Sequence, residues 1–483
     1  MLEPIARHSS PLLCLSPSSS SGIRRRSPAD LTAVTCHWLI ASRLTGGEDE
    51  AVDACVVMRL RGTAMGGGGG GSRELVVSAV FTALLVAAIL LLPSVLLTGS
   101  KLSSASSSKN WPFLASTAGG DEGQQPRYPV SFAYLISASS GDASRAARLL
   151  AALYHPGNCY LLHLDREAPA EEHRRLAELV SGKAVYARAG NVWIVGRPNL
   201  VTYRGPTMLT TTLHAVAVLL RLRRRWDWFV NLSASDYPLV TQDDLIEAFS
   251  GLPRDLNFIQ HTSHLGWKIK KRARPVILDT ALYEAGTAEL IRPVNLTTNL
   301  RKLPTAFKLF TGSAWTMLSR PFAEYVTMGW DNLPRTQLLY HANIVSSPEF
   351  YFQTVACNSW RFRNATVNHD MHFIRWDNPP KQHPLYLTSR DLRRAVLSGA
   401  AFARKFRDGD PALDRIDREI LRRREPGQFS YGGWCSEGGA ALCANPQEPD
   451  RKGAIKPGAG SRRLKALLRK MLSAKNFRRQ QCR

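Results

Sequence analysis

After residue 128 the hydrophobic positions follow two alternating patterns. Residues 130–137 (Val-Ser-Phe-Ala-Tyr-Leu-Ile-Ser), 159–164, 192–195 and 228–232 are short apolar runs of strand length. Residues 143–154, 171–180 and 208–221 instead carry apolar side chains at helical spacing, as Leu149, Leu150 and Leu153 do. Strands and helices in regular alternation predict a parallel sheet covered on both faces. The run at Trp228, Phe229, Val230 and Leu232 breaks into the polar turn Ser233-Ala234-Ser235-Asp236, and Pro238 cannot donate to a ladder. This pattern describes a buried strand delivering polar groups to its carboxyl end, where open α/β sheets bind ligands.

The second half is less regular. Residues 258–261 read as a short strand, and 306–318 contain the tight turn Gly312-Ser313. Helices are expected at 322–327, 350–356 and 415–424. Leu464, Leu467, Leu468, Met471 and Leu472 give the basic tail one apolar stripe. That stripe fits a helix packed on the domain better than one lying on an anionic membrane face.

Residues 75–98 form an uncharged apolar run of twenty-four residues with a single proline, Pro93. At about 1.5 Å per residue it spans the roughly 30 Å hydrocarbon core. Arg59, Arg61 and Arg73 precede it, and Lys101 and Lys109 follow. The mild bias favours a cytosolic N-terminus and a signal anchor over a cleaved peptide. The expected organisation is therefore an N-terminal segment 1–74, an anchor 75–98 and a Ser-, Gly- and Gln-rich stem 99–127. A catalytic domain 128–425 and a Cys-containing, basic C-terminus 426–483 follow. Within residues 1–57, the Ser-, Pro- and Arg-rich stretch Ser9 to Ser27 mimics a transit peptide, but Glu48, Asp49, Glu50 and Asp53 argue against one; Met58 or Met65 is the expected start.

The formal charge is +24 over 483 residues. Twelve Lys or Arg and no acid follow Asp450, and the rest of the excess is scattered. No zinc-finger spacing, RNA-binding aromatic signature or basic zipper accompanies it, which excludes a nucleic-acid binder. Eight cysteines contain no C-x-x-C, so redox and zinc motifs are absent, and the histidines give no H-x-x-x-H pair. Cys435 and Cys443 flank a Gly-rich loop and are the expected local bridge. Asn295, Asn364 and Asn231 begin glycosylation sequons, the last inside the buried strand and so not expected to be used.

Six ordered blocks carry a resemblance. They are Ala133-Tyr-Leu-Ile-Ser-Ala, Leu162-His-Leu-Asp165 and Phe229-Val-Asn-Leu-Ser-Ala-Ser-Asp-Tyr-Pro-Leu, then Gly312-Ser-Ala-Trp-Thr-Met-Leu-Ser-Arg320, Ser346-Ser-Pro-Glu-Phe-Tyr-Phe-Gln-Thr354 and Phe402-Ala-Arg-Lys-Phe406. From about Pro129 to about Asp417 the chain resembles the core-2/I-branching glycosyltransferases, the family shared with xylosyltransferases. Arg375-Trp-Asp-Asn-Pro-Pro-Lys381 and the Gly-Gly-Trp before Cys435 resemble its plant branch, β-glucuronosyltransferases of arabinogalactan. The resemblance implies a GT-A fold, with a Rossmann-like mixed sheet flanked by helices. It also implies a UDP-sugar donor, an inverting reaction, a glycan acceptor and a Golgi type II membrane protein. N-acetylglucosaminyl or xylosyl transfer, or an inactive glycan-binding protein, are the alternatives.

An inverting transferase needs a base for the acceptor hydroxyl. The family's catalytic Glu matches Glu349, and the apolar Phe350-Tyr351-Phe352 beside it is expected to desolvate the carboxylate and raise its pKa. The plainer reading is a first-turn helix carboxylate after Pro348. Most GT-A enzymes hold a metal with Asp-x-Asp, but this turn has Asp236 alone, a poor divalent site. The resemblance substitutes basic side chains for metal, Lys405 in Phe-Ala-Arg-Lys-Phe and Lys381 beside the ungapped position Gln382. No metal cofactor is therefore expected. The resemblance also gives donor-binding roles to Asp165 (uridine or ribose), Ser137, Asp236 (donor sugar, or the turn itself) and Trp376. Lys268, Lys270, Lys271 and Arg272 form a basic strip, either a solvated face or a contact for an acidic acceptor or a donor carboxylate.

Overall fold

Apolar runs too short for helices become the centre of the sheet. The computed structural model describes residues 114–116, 128–222, 224–282, 300–381, 383–435 and 454–483. Its strands are β1 (Leu114–Ser116), β2 (Phe132–Ala138), β3 (Cys159–Leu164), β4 (Val192–Val195), β5 (Trp228–Ser233) and β6 (Asp236–Pro238). They continue with β7 (Asn257–Phe258), β8 (Met317–Ser319), β9 (Thr366–Val367), β10 (His372–Ile374) and β11 (Phe402–Arg404). Two sheets form, one in the order β1-β4-β3-β2-β5-β8-β7-β9 and one in the order β10-β11-β6.

The sheet is mixed. β4, β3, β2 and β5 are parallel, as the alternation predicts. β8 runs antiparallel to β5 and to β7, and β1 antiparallel to β4, which gives the mixed sheet the resemblance implies in place of the parallel one the alternation alone predicts. The period of two along β2 sorts its side chains between two cores. Phe132, Tyr134 and Ile136 join the layer with Tyr160, Leu162, Trp228 and the helix Ala143–Leu153. Ala133 and Leu135 face the opposite layer with Phe229 and the helix Thr207–Arg221. From β2 the chain proceeds to β3 and β4 on one side, then returns to place β5 on the other. The order therefore reverses at β2, and the crevice outside its carboxyl end is the place for a ligand.

Two expectations change and a third holds. The strand at 258–261 is only β7, because His261 turns away to bond Asn368. The helix expected at 415–424 is Pro411–Glu419, begun by Asp410, whose side chain accepts from Ala412 N–H. It stops early because Arg422 adopts a left-handed φ of 54°. That turn sends Arg423 inward onto Asp417 at 2.7 Å and Tyr237 at 2.8 Å. The basic tail is the helix Ala459–Leu472, whose Leu464, Leu468 and Met471 are buried in the main core against the helix Gln242–Phe249. Its apolar stripe is consumed by the domain.

The segment 75–98, residues 1–57, Asn295, Gln382 and Cys443 lie outside the described residues. Among the described residues no helix is long and apolar enough to cross a membrane. Cys435 is disulfide-bonded, and a bridge the sequence reading did not foresee joins Cys357 to Cys482. It staples the tail to the helix Tyr351–Asn358.

Candidate active site

Glu349 closes a short 3-10 turn, Ser347–Glu349, after Ser346 at φ 58°. The aromatics that follow do not surround its carboxylate. Phe350, Tyr351 and Phe352 are buried in the cores, while the carboxylate turns toward two other segments. Tyr203 donates its hydroxyl to Oε1 at 2.5 Å, and Lys268 pairs with Oε2 at 2.8 Å. Arg272 also pairs with Oε2. The expected apolar setting is thus replaced by two cations and a phenol. The first-turn reading fails too, because these partners are side chains and not the N–H groups of the following helix.

The local backbone explains why the four segments meet. Lys268 caps and Arg272 lies within one π-helical turn, Ile269–Ala273, so their four-residue spacing brings both to one face while Lys270 and Lys271 stay exposed. Arg272 O accepts from Val345 N–H, and Arg204 O from Ser346 N–H. Thr311 accepts from Lys268 at 3.0 Å and donates to Glu349 O at 3.0 Å. Gly312 N–H reaches the same carbonyl. A Cβ on Gly312 would lie 1.7 Å from Gln260 O, so only glycine permits this approach. Burial first, and Glu349 second, hold the Tyr203 phenol well above its ordinary range, which keeps it a donor.

The strand-end turn is the second part of the site. Asp236 is 1% exposed. Its Oδ2 accepts from Ser233 N–H at 2.8 Å, and its Oδ1 pairs with Arg404 at 3.0 Å. The Arg404 guanidinium stacks on Trp315, 3.8 Å from the ring centroid. Asp236 therefore braces the turn. The Arg404 charge also acts on the Tyr203 phenol, lowering its pKa against the effect of burial. Lys405 follows Arg404, lies 4.4 Å from the Tyr386 ring centroid, and precedes Phe406, whose N–H bonds Ser235 O. It is half-buried beside the turn.

Asp165 ends β3. Its two oxygens accept from Glu167 and Val201 N–H, each at 3.0 Å, and burial raises its carboxyl pKa. Ser137, half-buried, pairs in register with His163 and Ser233 at the reversal point, and its carbonyl accepts from Ala234 N–H. Trp376 is 45% exposed. Lys381 is exposed over 78% of its side chain and nearest Asp377 at 3.9 Å. Neither Trp376 nor Lys381 shares a contact with Glu349 or Asp236. Asn231 spends its amide on Ala314 O and Thr316 N–H inside the sheet, whereas Asn364 is exposed. Among the described residues the one cluster of metal-ligand composition is His261, Cys357 and Cys482, and its two sulfurs are bonded to each other.

Sequence reading missed Tyr203 and Arg404 and saw Lys268 and Arg272 only as a strip. The four-residue spacing was the available signal for the latter pair. Tyr203 had none, because its partner is 146 positions away.

The family model for the core-2/I-branching enzyme matches residues 132–396. Beta-glucuronosyltransferase GlcAT14A of Arabidopsis thaliana is 53% identical over 391 residues, covering 80% of this chain and 84% of its own length. Beta-glucuronosyltransferase GlcAT14B of the same plant is 55% identical over 354 residues, covering 73% and 80%. Human xylosyltransferase 1 is more distant, 28% identical over 253 residues, covering 52% of this chain and 24% of its own length.

Proposed function

The chain belongs to the core-2/I-branching enzyme family and is a glycosyltransferase, and on that premise we propose that it moves glucuronic acid from UDP-glucuronic acid to galactan side chains of arabinogalactan. The two relatives above 50% identity are β-glucuronosyltransferases, which supports this donor over xylose. In this reading the fold is of the GT-A type, anchored by residues 75–98 as a type II protein of the Golgi membrane.

The observation that carries the mechanism is the half-buried carboxylate of Glu349 held by two cations and a phenol. A carboxylate offers about four lone-pair positions. Tyr203, Lys268 and Arg272 take three, leaving one for an acceptor hydroxyl. Glu349 accepts the hydroxyl proton while that oxygen attacks the anomeric carbon, and the bond from this carbon to the UDP oxygen breaks on the opposite face. The configuration inverts. Negative charge grows on the departing diphosphate, and Lys405 is the cation that meets it, with Lys381 as the second if the donor draws its segment in. Asp165 and Ser137 border the nucleoside end, and Trp376 offers a ring to the sugar. No metal is required, because Asp236 already spends its oxygens on Ser233 and Arg404.

A donor screen on the purified full chain with a neutral β-galactan acceptor tests the assignment. Turnover of UDP-glucuronic acid is expected. Exclusive use of UDP-xylose or UDP-N-acetylglucosamine overturns it.

A further inference from the structure

A cavity of about 740 Å³ opens between the short helix Leu392–Leu397, the helix Pro411–Glu419 and the start of the helix Ala459–Leu472. It shares no residue with the Glu349 loop or the Ser233–Asp236 turn. Its walls carry five cationic side chains and two carboxylates. Both carboxylates are committed. Asp244 accepts the backbone N–H groups of Thr241, Gly458 and Ser461, and so already occupies the helix start. Glu419 pairs with Arg415 at 2.9 Å. Arg393, Arg422, Lys456 and Arg463 remain, and among the described residues no carboxylate pairs with them. A cluster of cations in a concavity attracts anions.

The rest of the lining narrows the class of anion. Val396, Leu397 and Ile420 supply apolar wall, and the Arg422 guanidinium lies 5.0 Å from the Tyr431 ring centroid. Inorganic phosphate has no use for apolar wall, and a flat membrane surface cannot enter a concavity. A pyranose chain bearing carboxylates presents both C–H faces and negative charge. We propose that this cavity is a second glycan site, which binds an acidic oligosaccharide carrying uronic acids apart from the reaction centre. It rests on the glucuronosyl-transfer reading, since the product of that reaction is such a glycan. Retention there would hold a growing acidic chain near the enzyme while its neutral acceptor segment is used.

The test uses the full chain with saturating UDP, titrated calorimetrically with an oligogalacturonide of six residues. Expected is binding that weakens with salt, persists with UDP present, and falls at least tenfold in the Arg393→Ser/Arg463→Ser double variant. The Arg393→Lys/Arg463→Lys variant retains binding, and transfer to a neutral acceptor is unchanged in both. Affinity unaltered by the serine variant, or uronide displaced by UDP, overturns the site. Equal competition by inorganic phosphate, or binding of anionic lipid vesicles in place of the uronide, overturns the ligand class. Binding without glucuronic acid turnover overturns only the donor assignment; turnover without binding overturns only this site.

Discussion

Replacing Arg404 by Met exposes what holds the strand-end turn. The Asp236 carboxylate is 1% exposed and has one cationic partner within 3.0 Å, the Arg404 guanidinium. Its other partners are one backbone N–H, from Ser233, and the buried His372 ring at 4.0 Å. Removing one member of a buried ion pair strands the remaining charge, at a cost of about 3–5 kcal/mol. With a guanidinium slope of about 5 kcal/mol per molar, the unfolding midpoint falls by roughly 0.6–1 M. Asp236→Asn in the same chain removes the stranded charge but leaves the lost stacking on Trp315 untouched. The double variant should therefore recover part of the loss, with a coupling energy of about 1–3 kcal/mol. Equilibrium unfolding of the four chains under non-reducing conditions measures this cycle. A single-variant loss below about 1 kcal/mol, or a double variant as weak as the sum of its parts, refutes the argument that a buried charge pair braces the turn.

Glu349→Gln keeps the shape of the loop and the Tyr203 contact but cannot take a proton. Turnover should fall by about 10²–10⁴-fold with UDP affinity retained, read by product formation and UDP titration; a variant turning over at the parent rate removes Glu349 as the base. Activity in excess EDTA should be undiminished, and full loss restored by Mn²⁺ would overturn the lysine-based leaving-group chemistry. Burial lowers His163 and His341 to about 4 from an ordinary 6.5. The unfolded chain takes up these protons below pH 6.5 while the folded chain does not, so stability falls as pH drops from 6.5 toward 4. The slope is about 1.4 kcal/mol per pH unit for each histidine. Denaturation midpoints that stay flat between pH 7 and 4.5 would contradict it.

The sequence by itself determined the central parallel strands, because period-two apolar runs and helical spacing are local signals. β3 and β4 stand at the residues their hydrophobic runs mark. It also determined the family, through six ordered blocks, five of which lie inside the family match at 132–396. Edge elements were less legible. β10, β11 and β6 are only three residues each, held by one another rather than by their own periodicity. The surroundings of Glu349 were decided by tertiary structure alone. Apolar neighbours in sequence suggested a desolvated carboxylate, but adjacent side chains in a tight turn point to different sides. The core took Phe350, Tyr351 and Phe352, and long-range packing brought Tyr203, Lys268 and Arg272 to the carboxylate. In the same way Asp236 reads from sequence as a contact for the donor sugar or for its own turn, and Arg404, arriving from 168 residues away, makes it a brace of the turn. Periodicity records how each element meets the core. Which charges meet each other is fixed only when distant segments close on one another.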